Sequence, residues 1–349
     1  MLLGDGRNSV RAYNGAVVAT TLTPIRHEGQ SATGAMVPNC IVAFQGSATL
    51  RDTGFPKREL RDELRRIPSA RNVVAVLSTW TQSLGMLLVV GEVVHRTGQW
   101  WLWAPAFFLM GRANAMFGIL SHEAAHRVMF RRRAFNDWVG KWLCGAPGFS
   151  SNAAYRRVHM AHHRDEFGPD EPDLGLYGGY PITRASFWRK MRRDAFGESG
   201  YKNLKGFLRG LKRRVSRRST IDILAVQALI AAVLTWRVGW WAYPVLWTGP
   251  WMTVWRVLNR LRAIAEHGGM ARSDDKRATT HHVRQHLVAR FLLTPYNVGY
   301  HLAHHVDAGV PMWHLPALNT ELEAAGYISP DITYPNYRSL WRALRARPT

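Results

Sequence analysis

An all-α integral-membrane fold, with four transmembrane helices arranged as two hairpins, is what this sequence predicts. Three observations carry that prediction. Four apolar runs are each about long enough to cross a bilayer, which takes roughly 20 helical residues. The runs fall into two pairs, and a tight turn joins the members of each pair. Basic clusters gather on one side of the paired runs, as Lys and Arg do in cytoplasmic loops.

Residues 1–56 open the chain. Most of this stretch is rich in Gly, Ser, Thr and Asn with little periodicity, and it reads as a poorly ordered tail. No basic region leading into an apolar stretch and a cleavage site follows Met1, so no signal peptide is expected, and Met36 is an alternative start. A membrane domain is expected over 57–345. It begins with "KRELRDELRR" (57–66), which reads as a charged helix at the membrane surface.

The first run is 73–94, followed by the turn "HRTGQ" (95–99). The second run, 100–120, opens with Trp100, Trp101 and Trp103, and tryptophans at the end of an apolar run mark the membrane interface. The third run is 221–236, with Ser219 and Asp222 placed to form a capping box at its start. Arg237 to Gly239 makes the second turn. The fourth run is 240–258, with kinks expected at Pro244 and Pro250. Segment 136–155 is apolar but broken by Gly and Pro, so it reads as an interfacial or re-entrant piece. Arg112 falls well inside the second run, where a charge costs about 2.5–3.5 kcal/mol on insertion scales. It is expected to face the bundle interior and meet a polar group.

The chain carries 46 Lys and Arg against 24 Asp and Glu, a formal charge of +22. Such a charge points to nucleic acid or to a membrane protein with a basic cytoplasmic face. The apolar runs favour the second. No zinc-finger, RNA-binding or helix-turn-helix signature supports the first, so no nucleic-acid partner is expected. Cys40 and Cys144 are the only cysteines, too few for a disulfide framework or a Cys-rich metal site, which fits a cytosol-facing protein.

Eight of the fifteen histidines sit in three short strings. These are "HEAAH" (His122, His126), "HMAHH" (His159, His162, His163) and "HLAHH" (His301, His304, His305). Residues at i, i+3 and i+4 share one face of a helix, so each string presents imidazoles side by side. One tetrahedral zinc uses three or four ligands, and eight clustered imidazoles therefore point to a two-metal centre. His27, His95 and His314 stand alone and are given no role. "HEAAH" is also H-E-x-x-H, the zinc metallopeptidase signature, with Glu123 as the residue that would activate water. That reading leaves both H-x-x-H-H strings without a function.

Two crossings separate the second string from the third, and none separates the first from the second. All three then lie on one side of the membrane, with both chain ends. That side also holds "RRR" (131–133), "RR" (156–157), "KRR" (212–214) and "RR" (217–218), while the opposite side has only the two turns with Arg96 and Arg237. The expected location is the cytoplasmic membrane, multi-pass, with the histidines in the cytosol.

The three strings resemble those of the integral-membrane fatty acid desaturases and their hydroxylase relatives, which carry H-x(3–4)-H, H-x(2–3)-H-H and a late H-x-x-H-H. The flanks "HRDEFGPDEPDL", "PYNVGYHLAHH" and "VPMWHLPAL" are similar as well, and the resemblance covers about residues 70–325. It implies a four-helix membrane stem and a cytosolic helical cap holding two iron ions. The implied ligands are His122, His126, His159, His162, His163, His301, His304 and His305, with His267 as a further ligand after the fourth run. Some relatives have Asn four residues before that histidine, where this chain has Ala263.

The implied chemistry is dioxygen-dependent insertion of a double bond into a fatty acyl chain. Hydroxylation or carotenoid-type oxygenation on the same scaffold is the nearest alternative. Glu123, Asp165, Glu266 and Asp307 lie beside the implied ligands and could orient them, or could equally pair with the many arginines. His281, His282 and His286 are open between supporting those ligands and lining an exposed helix face. The implied partners are a lipid acyl substrate, membrane lipids and an external electron donor, either ferredoxin-like or cytochrome b5-like with its reductase. An internal donor of the second kind would need His-Pro-Gly-Gly for its haem, and the sequence has none.

Overall fold

The computed structural model describes residues 34–346, which are mostly helical with almost no strand. The strands among them are His282–Val283 and Thr333–Tyr334, paired in parallel. Two helices among the described residues are long and apolar enough to cross a membrane, Ser69–Thr97 and Arg214–Arg237. Only 28% of the apolar window of each is buried, too little for the core helix of a soluble protein. Val74, Leu77, Val89 and Leu229 instead present apolar side chains outward.

Local sequence explains where these helices start and stop. Pro68 precedes the first, and Gly98 ends it in the left-handed conformation (φ 69°), where a Cβ would be strained. The second starts at Arg214, well before the expected capping box. Ser219 and Asp222 therefore lie inside the helix, and Asp222 pairs with Lys141 at 2.7 Å instead of capping. Nothing between Arg214 and Ser219 breaks a helix, so the cationic turn simply continues it.

The other two runs are built differently. The second lies on the Trp103–His126 helix, the most buried long helix among the described residues. Arg112 on it is buried and faces inward. Its guanidinium donates to the Phe291 carbonyl (2.5 Å) and Gln82 Oε1 (2.7 Å) and lies over the Phe291 ring. The fourth run is widened into a π-type turn at Tyr243–Thr248 and broken at Thr253, after which Val254–His267 continues. The wide turn takes in Pro244, Pro250 sits at the start of the short helix Gly249–Met252, and the break falls beyond both, where Thr253 Oγ1 bonds back to the Gly249 carbonyl at 2.7 Å. Segment 136–155 is broken as expected, into Arg133–Val139, a wide turn over Gly140–Gly145, and Ala146–Gly148.

One apolar cluster draws on all four runs, through Leu87, Met110, Phe117, Ile230, Leu234, Leu246 and Trp247. Small residues allow the close approach that helix packing in lipid requires, where apolar transfer gives no net drive. A Cβ at Gly111 would collide with Val254, which fixes the crossing of Trp103–His126 against Val254–His267.

Residues 34–56 do not behave as a tail. Leu50 is fully buried in a cluster with Leu302, Leu318 and Tyr327, and the Met36 amide donates to the Gly269 carbonyl at 2.8 Å. Their apolar anchors are irregularly spaced, so no periodicity exposes them. The rest of the expected tail, His27 included, lies outside the described residues. "KRELRDELRR" forms the Arg58–Leu64 helix, which packs its Leu64 into the same cluster.

Candidate metal centre

Four helices deliver the histidines to one place. His122 and His126 occupy the last turn of Trp103–His126, which Arg127 terminates at φ 62°. His159, His162 and His163 lie on Asn152–Arg164, whose N-cap Ser151 accepts from the Ala154 amide. His267 is the last residue of Val254–His267, and His301, His304 and His305 lie on His301–Val306. All nine histidines predicted as ligands converge, and eight of the nine rings sit in positions that the i, i+3, i+4 spacing anticipates.

They form two groups. One nitrogen from each of His122, His126, His159, His163 and His304 lies within 4.8 Å of the others. His162, His267 and His305 meet the same criterion. His301 joins them, with its Nε2 at 3.0 Å from the Nε2 atoms of both His267 and His305. The groups adjoin, since the His163 and His305 ring centroids are 4.4 Å apart.

The outward ring nitrogens reveal the tautomers. His162 Nδ1 faces Glu171 (3.0 and 3.1 Å), His305 Nδ1 faces Glu166 (2.7 Å), His122 Nδ1 faces Glu123 (3.1 Å) and His267 Nδ1 faces the Thr279 carbonyl (2.9 Å). An ionised carboxylate or a carbonyl can only accept, so Nδ1 of His162, His305 and His267 carries the proton and Nε2 of each keeps a bare lone pair. Burial pushes the Glu123 carboxyl up to about 8, so its contact orients His122 without fixing the tautomer. His267 and His305 both aim such lone pairs at His301 Nε2, which has at most one proton to donate. His126 Nε2 is buried with no partner among the described residues. Converging lone pairs repel unless a cation lies between them. Metal–imidazole bonds of about 2.1 Å place neighbouring ligand nitrogens ~3 Å apart, the spacing seen here.

Electrostatics agrees with this. Burial first, and then the neighbouring imidazoles, push His159, His163, His304 and His305 well below the usual histidine range. These rings are neutral at pH 7, the state in which imidazole binds a metal. His162 moves the other way: burial opposes its charge, but the hydrogen bond and the charge of Glu171 outweigh burial and raise it.

The acidic neighbours divide. Glu123 holds His122 and also accepts from the Met312 amide at 2.8 Å. Glu266 Oε1 lies 3.5 Å from His301 Nδ1, close but not hydrogen-bonded. Asp165 and Asp307 touch no histidine. Asp165 pairs with Arg272 (2.7 Å) and Asp307 with Arg65 (2.7 Å). Each follows the last residue of a helix in extended backbone, so its side chain leaves the face that carries the histidines. Glu166, Glu171 and the Thr279 carbonyl do the work expected of those two. The acidic run after "HMAHH" was the signal for Glu166 and Glu171, but its fold back onto the histidines is not periodic. His281 and His282 are buried pins, bonded to the Gly268 carbonyl (2.8 Å) and to Asn319 and Thr333, while His286 bonds the Pro335 carbonyl at the surface.

Comparison with known proteins adds the identity. The chain matches the fatty acid desaturase family over residues 98–341, a stretch that contains all nine histidines. It is similar to a dihydrorhizobitoxine desaturase of Bradyrhizobium elkanii, with 28% identity over 253 residues, 65% of this chain and 70% of that protein. It is also similar to an sn-1 oleoyl-lipid 12-desaturase of Anabaena variabilis, with 27% identity over 56% of this chain and 60% of that protein. A third relative, an sn-1 oleoyl-lipid 12-desaturase of Arthrospira platensis, is 21% identical over 81% of this chain and 86% of that protein. With the family match covering more than half of the chain, the protein belongs to the fatty acid desaturase family and is an oxidoreductase of the desaturase kind.

Proposed function

We propose that this protein is a membrane-bound, two-iron, dioxygen-dependent desaturase that places a double bond in a fatty acyl chain. The observation that carries this is the convergence of nine imidazoles, several with bare lone pairs, in two adjoining groups. His122, His126, His159, His163 and His304 would hold one ion. His162, His267, His301 and His305 would hold the other. Imidazole suits several metals, so iron is taken from the family and not from the ligands.

When bound, the irons supply, with dioxygen, the oxidant that removes hydrogen from an unactivated C–H bond. The chain's residues do the rest. Glu166 and Glu171 hold their rings in one tautomer and orientation, and Glu123 orients His122. Glu123 faces His122 Nδ1 and the Met312 amide, on the side of the ring away from the clustered Nε2 atoms, which suits support and not activation of water. The peptidase reading of "HEAAH" therefore loses its base.

Forming an alkene releases two electrons and two protons, whereas reducing dioxygen to two waters takes four of each. An external ferredoxin-like or cytochrome b5-like donor supplies the remaining two electrons. The exposed Arg131, Arg132 and Arg133, just past His126, offer a docking site for an acidic carrier.

The proposed topology is four spans in two hairpins, with the histidines and both chain ends in the cytosol. Support comes from the shared apolar cluster of the four runs and from the arginine bias. Single cysteines at Thr97 and Ser199 should label from opposite sides; labelling from one side removes the hairpins.

The functional test is turnover of the purified protein with iron, dioxygen, a reductant chain and a panel of acyl donors. A product two hydrogens lighter supports the proposal. A gain of oxygen makes the protein a hydroxylase or carotenoid-type oxygenase. Chelator-sensitive protein cleavage that is lost in Glu123→Gln would establish the peptidase.

A further inference from the structure

Two cavities run along the Val254–His267 helix beside the histidines. The inner one, about 140 Å³, is lined by His122, His159, His162, His267 and His301. The outer one, about 290 Å³, has walls that include Phe117, Phe149, Trp251 and Trp255. Tyr155, Asn259 and Arg262 line both, so they form the neck between them.

One of the two arginines in the outer cavity, Arg256, is unusual. Arg256 lies near the end of the fourth apolar run. Its Nε donates to the Trp251 carbonyl (3.0 Å), and its guanidinium lies 4.1 Å over the Trp251 ring. No carboxylate among the described residues pairs with it. Arg112, the other arginine within an apolar run, has its guanidinium bonded to Gln82, to the Phe291 carbonyl and to Met116 Sδ. A guanidinium in a cavity wall, held only by a carbonyl and a ring and facing no carboxylate, points to an anionic ligand. One further polar atom on these walls, Asn114 Oδ1, lacks a hydrogen-bond partner among the described residues, whereas Arg262 Nε pairs with Glu266 at 3.4 Å.

Building on the desaturase reading above, we infer that this pair of cavities takes its substrate as a free carboxylic acid. The carboxylate sits at Arg256, the chain lies along Phe117 and Trp255, and the C–H bonds to be broken reach past Arg262 toward the histidines. Arg256 and His267 are eleven residues apart, or about 16 Å of helix. The cavities are at the small end of small-molecule sites, which run from about 300 to 1,000 Å³. Both features suit a medium-length chain. An esterified chain brings no anionic oxygen to Arg256 and leaves a desolvated guanidinium unpaired, whereas a carboxylate makes a charge-assisted, two-point contact.

The test is binding, read from quenching of tryptophan fluorescence in the iron-loaded protein in detergent, since Trp251 and Trp255 line the cavity. The probes are decanoate, methyl decanoate and didecanoyl phosphatidylcholine. Decanoate should bind at least ~10-fold more tightly than its methyl ester, the scale of one charge-assisted contact. Arg256→Gln should remove that difference, and Arg256→Lys should restore part of it. Equal binding of acid and ester by the unaltered protein, tighter binding of the phospholipid, or an acid preference untouched by Arg256→Gln each overturns the inference. The comparison of acid with ester needs no variant, so a misfolded Arg256→Gln does not rescue it. A site that prefers the acid in an enzyme that forms no double bond would keep this inference and sink the desaturase reading.

Discussion

The two histidine groups differ in how they are supported. Three of the four rings in the smaller group have Nδ1 anchored, His162 by Glu171, His305 by Glu166 and His267 by the Thr279 carbonyl. In the larger group His122 is held by Glu123, while His304 Nδ1, like His301 Nδ1 of the smaller group, finds no partner among the described residues. The smaller group has few ligands, most of them well oriented; the larger has more ligands and less support around them. Redundancy and outer-sphere hydrogen bonds are alternative ways to fix a metal, and under the proposed reading the two groups would rely on one each.

The largest effects should come from the rings themselves. His163 touches both groups, with its Nε2 at 3.0 Å from that of His304 and its ring against His305. His163→Ala and His304→Ala should abolish turnover while the protein remains in the membrane, because these rings lie outside the apolar runs. Near-normal turnover in membrane-inserted His163→Ala would end the metal-centre reading.

Next in size are the carboxylates of the smaller group. Glu166→Gln and Glu171→Gln should each lower iron affinity or activity by about 10–100-fold, the usual cost of losing the group that orients a metal-bound histidine. Glu123→Gln should cost less and leave measurable lipid oxidation, because the larger group has ligands to spare. If Glu123→Gln proved the more damaging, the contrast between the groups would be reversed.

Least of all should be Asp165→Asn. Its carboxylate faces Arg272 at a half-exposed site, and such ion pairs are worth about 0–1 kcal/mol. Iron content and turnover should stay within about twofold of the unaltered protein. A loss comparable to that of Glu166→Gln would mean that Asp165, not its neighbour, supports the histidines.

Much of this centre could be read from the sequence because helical spacing is periodic. His159, His162 and His163 must share a face once the segment is a helix, and His267 stood out by its place after the fourth run. The chain between helices was not legible. Asp165 and Glu166 are adjacent, yet one turns outward to Arg272 and the other inward to His305, a choice made by the turn in which Phe167 takes φ 62°. Glu171 returns to His162, nine positions earlier in the chain, through the loop that follows the helix. The Ser219 capping box failed for a related reason: a cap requires the chain to leave the helix before it, and no residue there forces that. The break falls at Thr253, beyond both prolines, next to Val254, which packs on Gly111 of another helix, a contact that local preference does not encode.

The central claim is that two adjoining histidine groups hold two irons. Metal analysis of the protein purified from iron-supplied membranes tests it directly. The account predicts two irons per chain, little zinc, and loss of about one iron in His267→Ala, the variant confined to the smaller group. One zinc per chain, retained in His267→Ala, would contradict it.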